Sequence, residues 1–285
     1  MNLIDIGDMI YVGISGWNYR GWRGNFYPRN LAQKDELYYA SRRFNSIEIN
    51  GTFYSLKNKE IYQRWYSQTP ENFRFSIKAN RYLTHIKKLN HIQPALNNFL
   101  SSGMEELKEK LGPILWQFPP NLKYDPEKWD LFLKLLPKSF SEARRDFNWK
   151  IHHNQSILHA VEIRNSSFYH PGFIKQLRNH HVTLVFSDSD GRWPYMEDVS
   201  GDFIYLRLHG QKKLYTSNYG PDDLIFWKRR ICKWSTGNNT PAKYSITKNI
   251  KSLKRDVYVY FDNDAKVYAP YNAITLNKLI QKSSV

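Results

Sequence analysis

At 285 residues, with 42 Lys and Arg against 26 Asp and Glu and a formal net charge of +16, the chain is long enough for one continuous α/β core and basic enough to gather polyanions. Its one cysteine, Cys232, excludes an intrachain disulfide and any Cys-x-x-Cys zinc site, and no apolar run approaches the ~20 residues that span a bilayer. Asp5 and Asp8 stand where a signal peptide would carry Lys or Arg, so the chain reads as a cytoplasmic protein with no membrane segment.

In chain order, short β-rich apolar runs alternate with amphipathic stretches, the pattern of parallel strands covered by helices. Ile10 to Ile14 precedes a helical pattern over Leu31 to Phe44; Ser46 to Ile49 precedes Ile61 to Ser67; Phe73 to Ile77 precedes Pro94 to Leu111. Pro113 to Gln117 leads to Pro126 to Leu136, and Leu158 to Ile163 to Pro171 to His180, with Pro126 and Pro171 suited to a first helical turn. After Val182 to Phe186 the segment Asp188 to Gly201 is too short and polar for a helix, so the sixth helix is expected to be irregular or missing and the connection to pass over the barrel mouth. Phe203 to Leu208 then precedes Asp222 to Trp234, and Val257 to Phe261 precedes Ala273 to Gln281. Without repeats or a Gly/Ser linker, eight such runs predict an α/β chain, a (β/α)₈ TIM-type barrel formed as one domain over residues 1–285. Lys228 to Arg255 is rich in Lys and Arg, lacks acids and has Gly237, Asn238, Asn239 and Pro241 at its centre; it reads as a helix end followed by a mobile basic insertion around 235–255.

Residues just past barrel strands converge on one mouth, and here they are often charged. Trp17 follows the first run, Glu48 closes the second, and Lys78 and Arg81 follow the third. Gln117 ends the fourth, Glu162 and Arg164 the fifth, Asp188 follows the sixth, Arg207 and His209 mark the seventh, and Asp262, Asn263 and Asp264 the eighth. Lys78, Arg81, Arg164 and Arg207 suit phosphate or carboxylate, with Gln117, Asn263 and Trp17 as further binding residues. His85, Glu48, Glu162, Asp188 and His209 are the candidates for moving protons; His85 leads because Lys78, Arg81 and His85 place cations beside a titratable group. Glu48, Glu162, Asp188, His209 and Asp264 also offer oxygen and imidazole ligands to a divalent metal, although neighbouring cations compete for those acids. The bland alternative for any one of them is a buried ion pair, Glu162 with Arg164 or Arg207 for instance. Trp17, Trp22, Tyr27, Phe53, Tyr54, Trp116 and Phe118 are read mainly as core, with base or sugar stacking as the rival. No phosphate loop, Gly-x-Gly-x-x-Gly, Gly-x-Ser-x-Gly or His-Glu-x-x-His motif assigns a cofactor or a reaction.

Blocks along the whole chain carry a resemblance. They include Gly13-Ile14-Ser15-Gly16-Trp17, Ser46-Ile47-Glu48-Ile49-Asn50, Phe73-Arg74-Phe75-Ser76-Ile77-Lys78, Gly112-Pro113-Ile114-Leu115-Trp116-Gln117-Phe118-Pro119-Pro120, Val161-Glu162-Ile163-Arg164, Leu206-Arg207-Leu208-His209-Gly210 and Phe261-Asp262-Asn263-Asp264. In these the sequence resembles the DUF72 family of YecE-like proteins, which implies a TIM-type barrel and supplies no established reaction. It departs from the family at Asp262, where Asn is more usual, and in the longer, more basic Lys228 to Arg255 region. The leading functional reading is an enzyme acting on a phosphorylated or nucleic-acid substrate at the mouth. One rival is a non-catalytic nucleic-acid-binding barrel working through Lys251, Lys254 and Arg255; another is a carbohydrate-active enzyme with paired carboxylates.

Overall fold

The computed structural model describes residues 10–151, 155–210, 213–238, 242–248 and 253–282. Eight parallel strands close in chain order, β1 pairing with β8. They are β1 Ile10–Ser15, β2 Ser46–Ile49, β3 Arg74–Lys78, β4 Leu111–Gln117, β5 His159–Glu162, β6 Thr183–Asp188, β7 Ile204–Leu208 and β8 Val257–Phe261. Around them lie α1 Glu36–Ala40, α2 Gly51–Tyr54, α3 Lys59–Gln68, α4 Gln93–Leu100, α5 Pro126–Lys134, α6 Phe140–Phe147, α7 Pro171–Asn179, α8 Pro221–Ser235 and α9 Tyr268–Gln281. The TIM-type barrel is therefore present, and no helix among the described residues is long and apolar enough to cross a membrane.

Paired residues of neighbouring parallel strands face the same side of the sheet, so register carries one parity round the barrel. Gly13 pairs Ser46 and Tyr260, Lys78 pairs Leu115, Gln117 pairs Glu162, and Ser187 pairs Arg207, and all of these face inward. Leu115, Ala160, Val185, Phe203, Tyr205, Tyr258 and Tyr260 fill the lower interior as one buried cluster. Because an interior Tyr must place its hydroxyl, Tyr260 meets Ser46 Oγ at 2.6 Å and Tyr205 meets Ser76 Oγ at 2.7 Å. Gly13 makes room at the seam: a Cβ there would lie 1.8 Å from the Ser46 carbonyl oxygen.

Several helices differ from expectation for local reasons. The pattern over Leu31 to Phe44 yields only a 3₁₀ turn, Gln33–Asp35, and the short α1. The pattern over Pro94 to Leu111 is cut by Gly103, whose φ of +107° favours glycine. The unforeseen α6 is capped by Ser139, which accepts a hydrogen bond from Glu142 N at 3.2 Å. Between β6 and β7 no helix forms. The connection instead lays Trp193 over the Arg164 guanidinium, 3.6 Å from the ring centroid, with the His209 ring 5.3 Å away.

The basic insertion corrects another expectation. Its described part, 242–248, is docked rather than loose: Ile246 N and Thr247 N each donate to Asp198 at 2.9 Å, and Glu197 N donates to Tyr244 O at 2.9 Å. Asn239, Pro241 and Lys251 lie outside the described residues.

Candidate active site

The mouth is organised around Arg207, inward-facing on β7 and 1% exposed. Its Nε and Nη2 donate to Glu48 Oε2 and Oε1 at 3.0 and 2.8 Å, Nη1 to Glu162 Oε2 at 2.7 Å, and Nη2 to Asp262 Oδ2 at 2.9 Å. Arg164 Nε donates to the other Glu162 oxygen at 2.9 Å, and Tyr205 OH to Glu48 Oε2 at 2.6 Å. Strands β2, β5, β7 and β8 thus meet through one guanidinium. Burying these charges is tolerable because each is paired. Burial alone would raise the Glu162 carboxyl, but Arg164 and Arg207 hold it well below the usual range; burial opposes and Arg207 and His209 together bring Asp262 down to about 2.

His209 Nδ1 lies 2.9 Å from Asp262 Oδ2, and burial, then the Arg207 charge, push the ring's pKa down. His85, on a π-helical turn Tyr82–Ile86, shares a 2.8 Å hydrogen bond between Nδ1 and Thr84 Oγ1 and stands 3.5 Å from Gln117 Nε2. Burial and then Lys78 push His85 down to about 4, so it is neutral at pH 7 and serves there as a hydrogen-bonding group rather than a cation.

Lys78, at the end of β3, has its Nζ 4.5 Å from the Phe53 ring centroid; burial, then Arg207, bring it down to about 8. Asp264 moves the other way: burial, then Asp262, push its carboxyl up to about 6. Both line a cleft of about 1160 Å³, together with Asp262 and Tyr215. Trp17, Tyr54 and Trp65 form an aromatic wall, and Lys34 on the 3₁₀ turn, Lys57 between α2 and α3, and Arg64 on α3 bring positive charge from the outer layer. Among the described residues none of these three cations is ion-paired.

The predicted residues therefore divide. Glu48, Glu162, Arg164, Arg207 and His209 come together as a network, and Gln117 joins His85 beside it, whereas Lys78 and Trp17, with Asp262, Asp264 and Tyr54, line the cleft. Arg81 is exposed and outside that lining. Asp188 and Asn263 are turned away, because each follows an inward residue by one position. Asp188 accepts from Tyr219 OH at 2.8 Å on the helix side and borders a second cavity of about 280 Å³, and burial raises its pKa. Asn263 Nδ2 donates to Ser217 O and Asn272 Oδ1, both at 2.9 Å, pinning β8 to α9. The acids on either side of it, Asp262 and Asp264, reach the cleft instead; alternation along β8 from the inward Tyr260 is the signal that selects them. No group of three or more His, Cys, Asp or Glu side chains arranged to hold a metal occurs among the described residues, since Glu48, Glu162 and Asp262 converge on Arg207 and Asp188 faces elsewhere.

Comparison with known proteins gives a consistent result. The UPF0759 protein YunF of Bacillus subtilis is 27% identical over 292 residues, covering 90% of this chain and 89% of YunF. The UPF0759 protein YecE of Escherichia coli K12 is 29% identical over 173 residues, 60% of this chain and 54% of YecE. A DUF72 family protein from Thermotoga maritima superposes with a TM-score of 0.71 at 24% identity, covering 96% of this chain and 99% of that one. A second, from Enterococcus faecalis, gives 0.67 at 20%, with 96% of each chain covered. The family described as protein of unknown function DUF72 matches residues 11–285, and the chain belongs to that family.

Proposed function

We propose that this barrel is an enzyme acting on a phosphorylated substrate, a small phosphate ester or the phosphate-bearing end of a nucleic acid, bound in the cleft at the carboxyl ends of the strands. One observation carries the reading: a single cleft joins Lys78, Asp262 and Asp264 at the barrel axis to Lys34, Lys57 and Arg64 on its outer side. Unpaired cations there suit a phosphate, the aromatic wall suits the body of the ligand, and the inner end holds an acid raised and an amine lowered toward neutral pH. Buried Arg207 supports this end by fixing three carboxylates, so its role is to position and polarise. Glu48 and Glu162 share that guanidinium instead of standing free, which does not favour the paired-carboxylate reading for a sugar substrate.

The test is thermal stabilisation by a panel of phosphosugars, nucleotides and short oligonucleotides. A ligand at a hundred times its Kd stabilises by about 2.7 kcal/mol, a Tm rise of roughly 4 to 5 °C for a chain of this length. The rise is expected to vanish in Lys57→Glu/Arg64→Glu while the ligand-free Tm holds. A second reading has its own support: Arg229, Lys233, Lys243, Lys248 and Lys254 are exposed around the basic segment. Shifts with any polyanion that collapse with salt and ignore the cleft variants would favour a binding module there.

A further inference from the structure

Buried lysine amines occur in this barrel both with acceptors and without them, and of the latter only one that lines the cleft can meet a ligand there. Lys110, 3% exposed, donates to Tyr66 O and Thr69 O at 2.8 Å and to Thr69 Oγ1 at 3.2 Å. Lys78 is 9% exposed, faces into the barrel and lines the cleft, yet its Nζ has neither a hydrogen bond nor an ion pair among the described residues. The carboxylates nearest to it in the mouth are taken, Glu48 and Asp262 by Arg207 and Glu162 by both arginines. Its neighbour is an aromatic face, Phe53. An amine so placed has been left available to something in the cleft.

From this we infer that Lys78 is a nucleophile that forms a protonated imine with the carbonyl carbon of a phosphorylated aldehyde or ketone. The inference rests on the cleft reading above and narrows it to one substrate class. After the ammonium gives up a proton, the Nζ lone pair adds to the carbonyl carbon, the C=O π pair moves to oxygen, and that oxygen takes a proton, giving a carbinolamine. Nitrogen then loses a second proton, the hydroxyl is protonated and leaves as water, and the nitrogen pair closes the C=N bond. The net change is ammonium plus carbonyl to iminium plus water, with no oxidant or reductant. Asp264, lining the same cleft and pushed up to about 6, is the group suited to pass the proton to the departing hydroxyl. Cation replaces cation, so the charge balance around Arg207 is kept.

The experiment incubates the full chain with dihydroxyacetone phosphate, ribose 5-phosphate or fructose 6-phosphate plus sodium cyanoborohydride, which adds hydride to an iminium and fixes it as a secondary amine. Peptide mapping then locates the adduct, and each carbonyl compound is run beside its polyol, glycerol 3-phosphate in the first case. Lys138 is the internal control: its Nζ is also buried without a partner and its pKa is also brought down to about 8 by burial, but it lies beside His159 at the opposite end of the barrel. The expected result is labelling of Lys78 at least about tenfold above Lys138 and above exposed lysines, suppressed by excess polyol and absent from Lys78→Met. Lys78→Met should melt no lower than the wild type, because it removes an unpaired buried charge at similar volume. Stabilisation by carbonyl compound and polyol alike, with Lys78 unlabelled, overturns the imine and leaves the cleft reading standing. Label confined to surface lysines, with no stabilisation by any of these ligands, overturns both.

Discussion

Replacing Arg207 by Met removes the one guanidinium on which Glu48, Glu162 and Asp262 converge, and leaves the three carboxylates facing one another in a buried space. Breaking a buried ion pair from one side costs about 3–5 kcal/mol, and here the loss of four hydrogen bonds of 2.7 to 3.0 Å puts the expectation at the upper end. With about 2.1 cal/mol/K per residue the unfolding entropy of 285 residues is roughly 600 cal/mol/K, so Tm should fall by roughly 7 to 8 °C at pH 7.5. The pH dependence fixes the cause. In the wild type Asp262 is depressed to about 2 and Glu162 is held low as well, so their stabilisation is present above the unfolded carboxyl pKa near ~4 and is lost as pH falls toward 2. In the variant Glu162 keeps Arg164, but Asp262 loses the guanidinium that offsets its burial, so burial raises it and its contribution is complete in acid and lost as pH rises. The gap between the two proteins must therefore widen from pH 4.5 to pH 7.5, read by thermal unfolding followed with circular dichroism. A drop under about 2 °C, or a drop of equal size at both pH values, would mean that Arg207 does not neutralise these carboxylates.

Other perturbations follow from the same geometry. Asp264→Asn should gain stability over the wild type as pH rises through 6, by about 1 kcal/mol after allowing for partial solvent contact, since a raised carboxyl loses its contribution on ionising; urea midpoints at pH 4.5 and 8 decide, and a flat difference counts against it. Tyr205→Phe deletes a 2.6 Å hydrogen bond to a buried carboxylate and should cost about 1.5–3 kcal/mol, whereas a midpoint unchanged in urea would show that Glu48 needs only Arg207. Gly13→Ala places a methyl 1.8 Å from the Ser46 carbonyl and should prevent stable closure of β1 on β2; wild-type expression and melting would contradict the close approach.

Much of the barrel is legible in the sequence because its strands are short β-rich runs with punctuated ends: β2 and β8 fall on the predicted residues, and the helix-free β6–β7 connection is visible in the polarity of Asp188 to Gly201. The missed α6 carries its own signal in Ser139 and Glu142, a capping pair that follows too closely on α5 to stand out. For the site, the sequence shows which residue types crowd the strand ends but not which way each points. One position separates Ser187 from Asp188 and Asp262 from Asn263, and a step of one reverses the face, so Asp188 and Asn263 stand at strand ends yet face the helices rather than the cleft. Lys34, Lys57 and Arg64 are harder still, because a cation in the outer layer looks like any solvated residue until the fold lays it against a cleft. The pairing of Glu162 with Arg164 or Arg207 is readable as a buried ion pair, but the arrival of Glu48 and Asp262 on the same guanidinium is a three-dimensional fact, since they lie on separate strands.

The most direct test of the cleft as the anion site is a crystal of the protein soaked with tungstate, a tetrahedral phosphate mimic whose anomalous scattering marks its position. Tungstate is expected in the cleft, against Lys34, Lys57 and Arg64 or beside Lys78, displaced by any phosphorylated ligand that raises Tm. Tungstate confined to the exposed lysines of the basic segment, with the cleft empty, would contradict it.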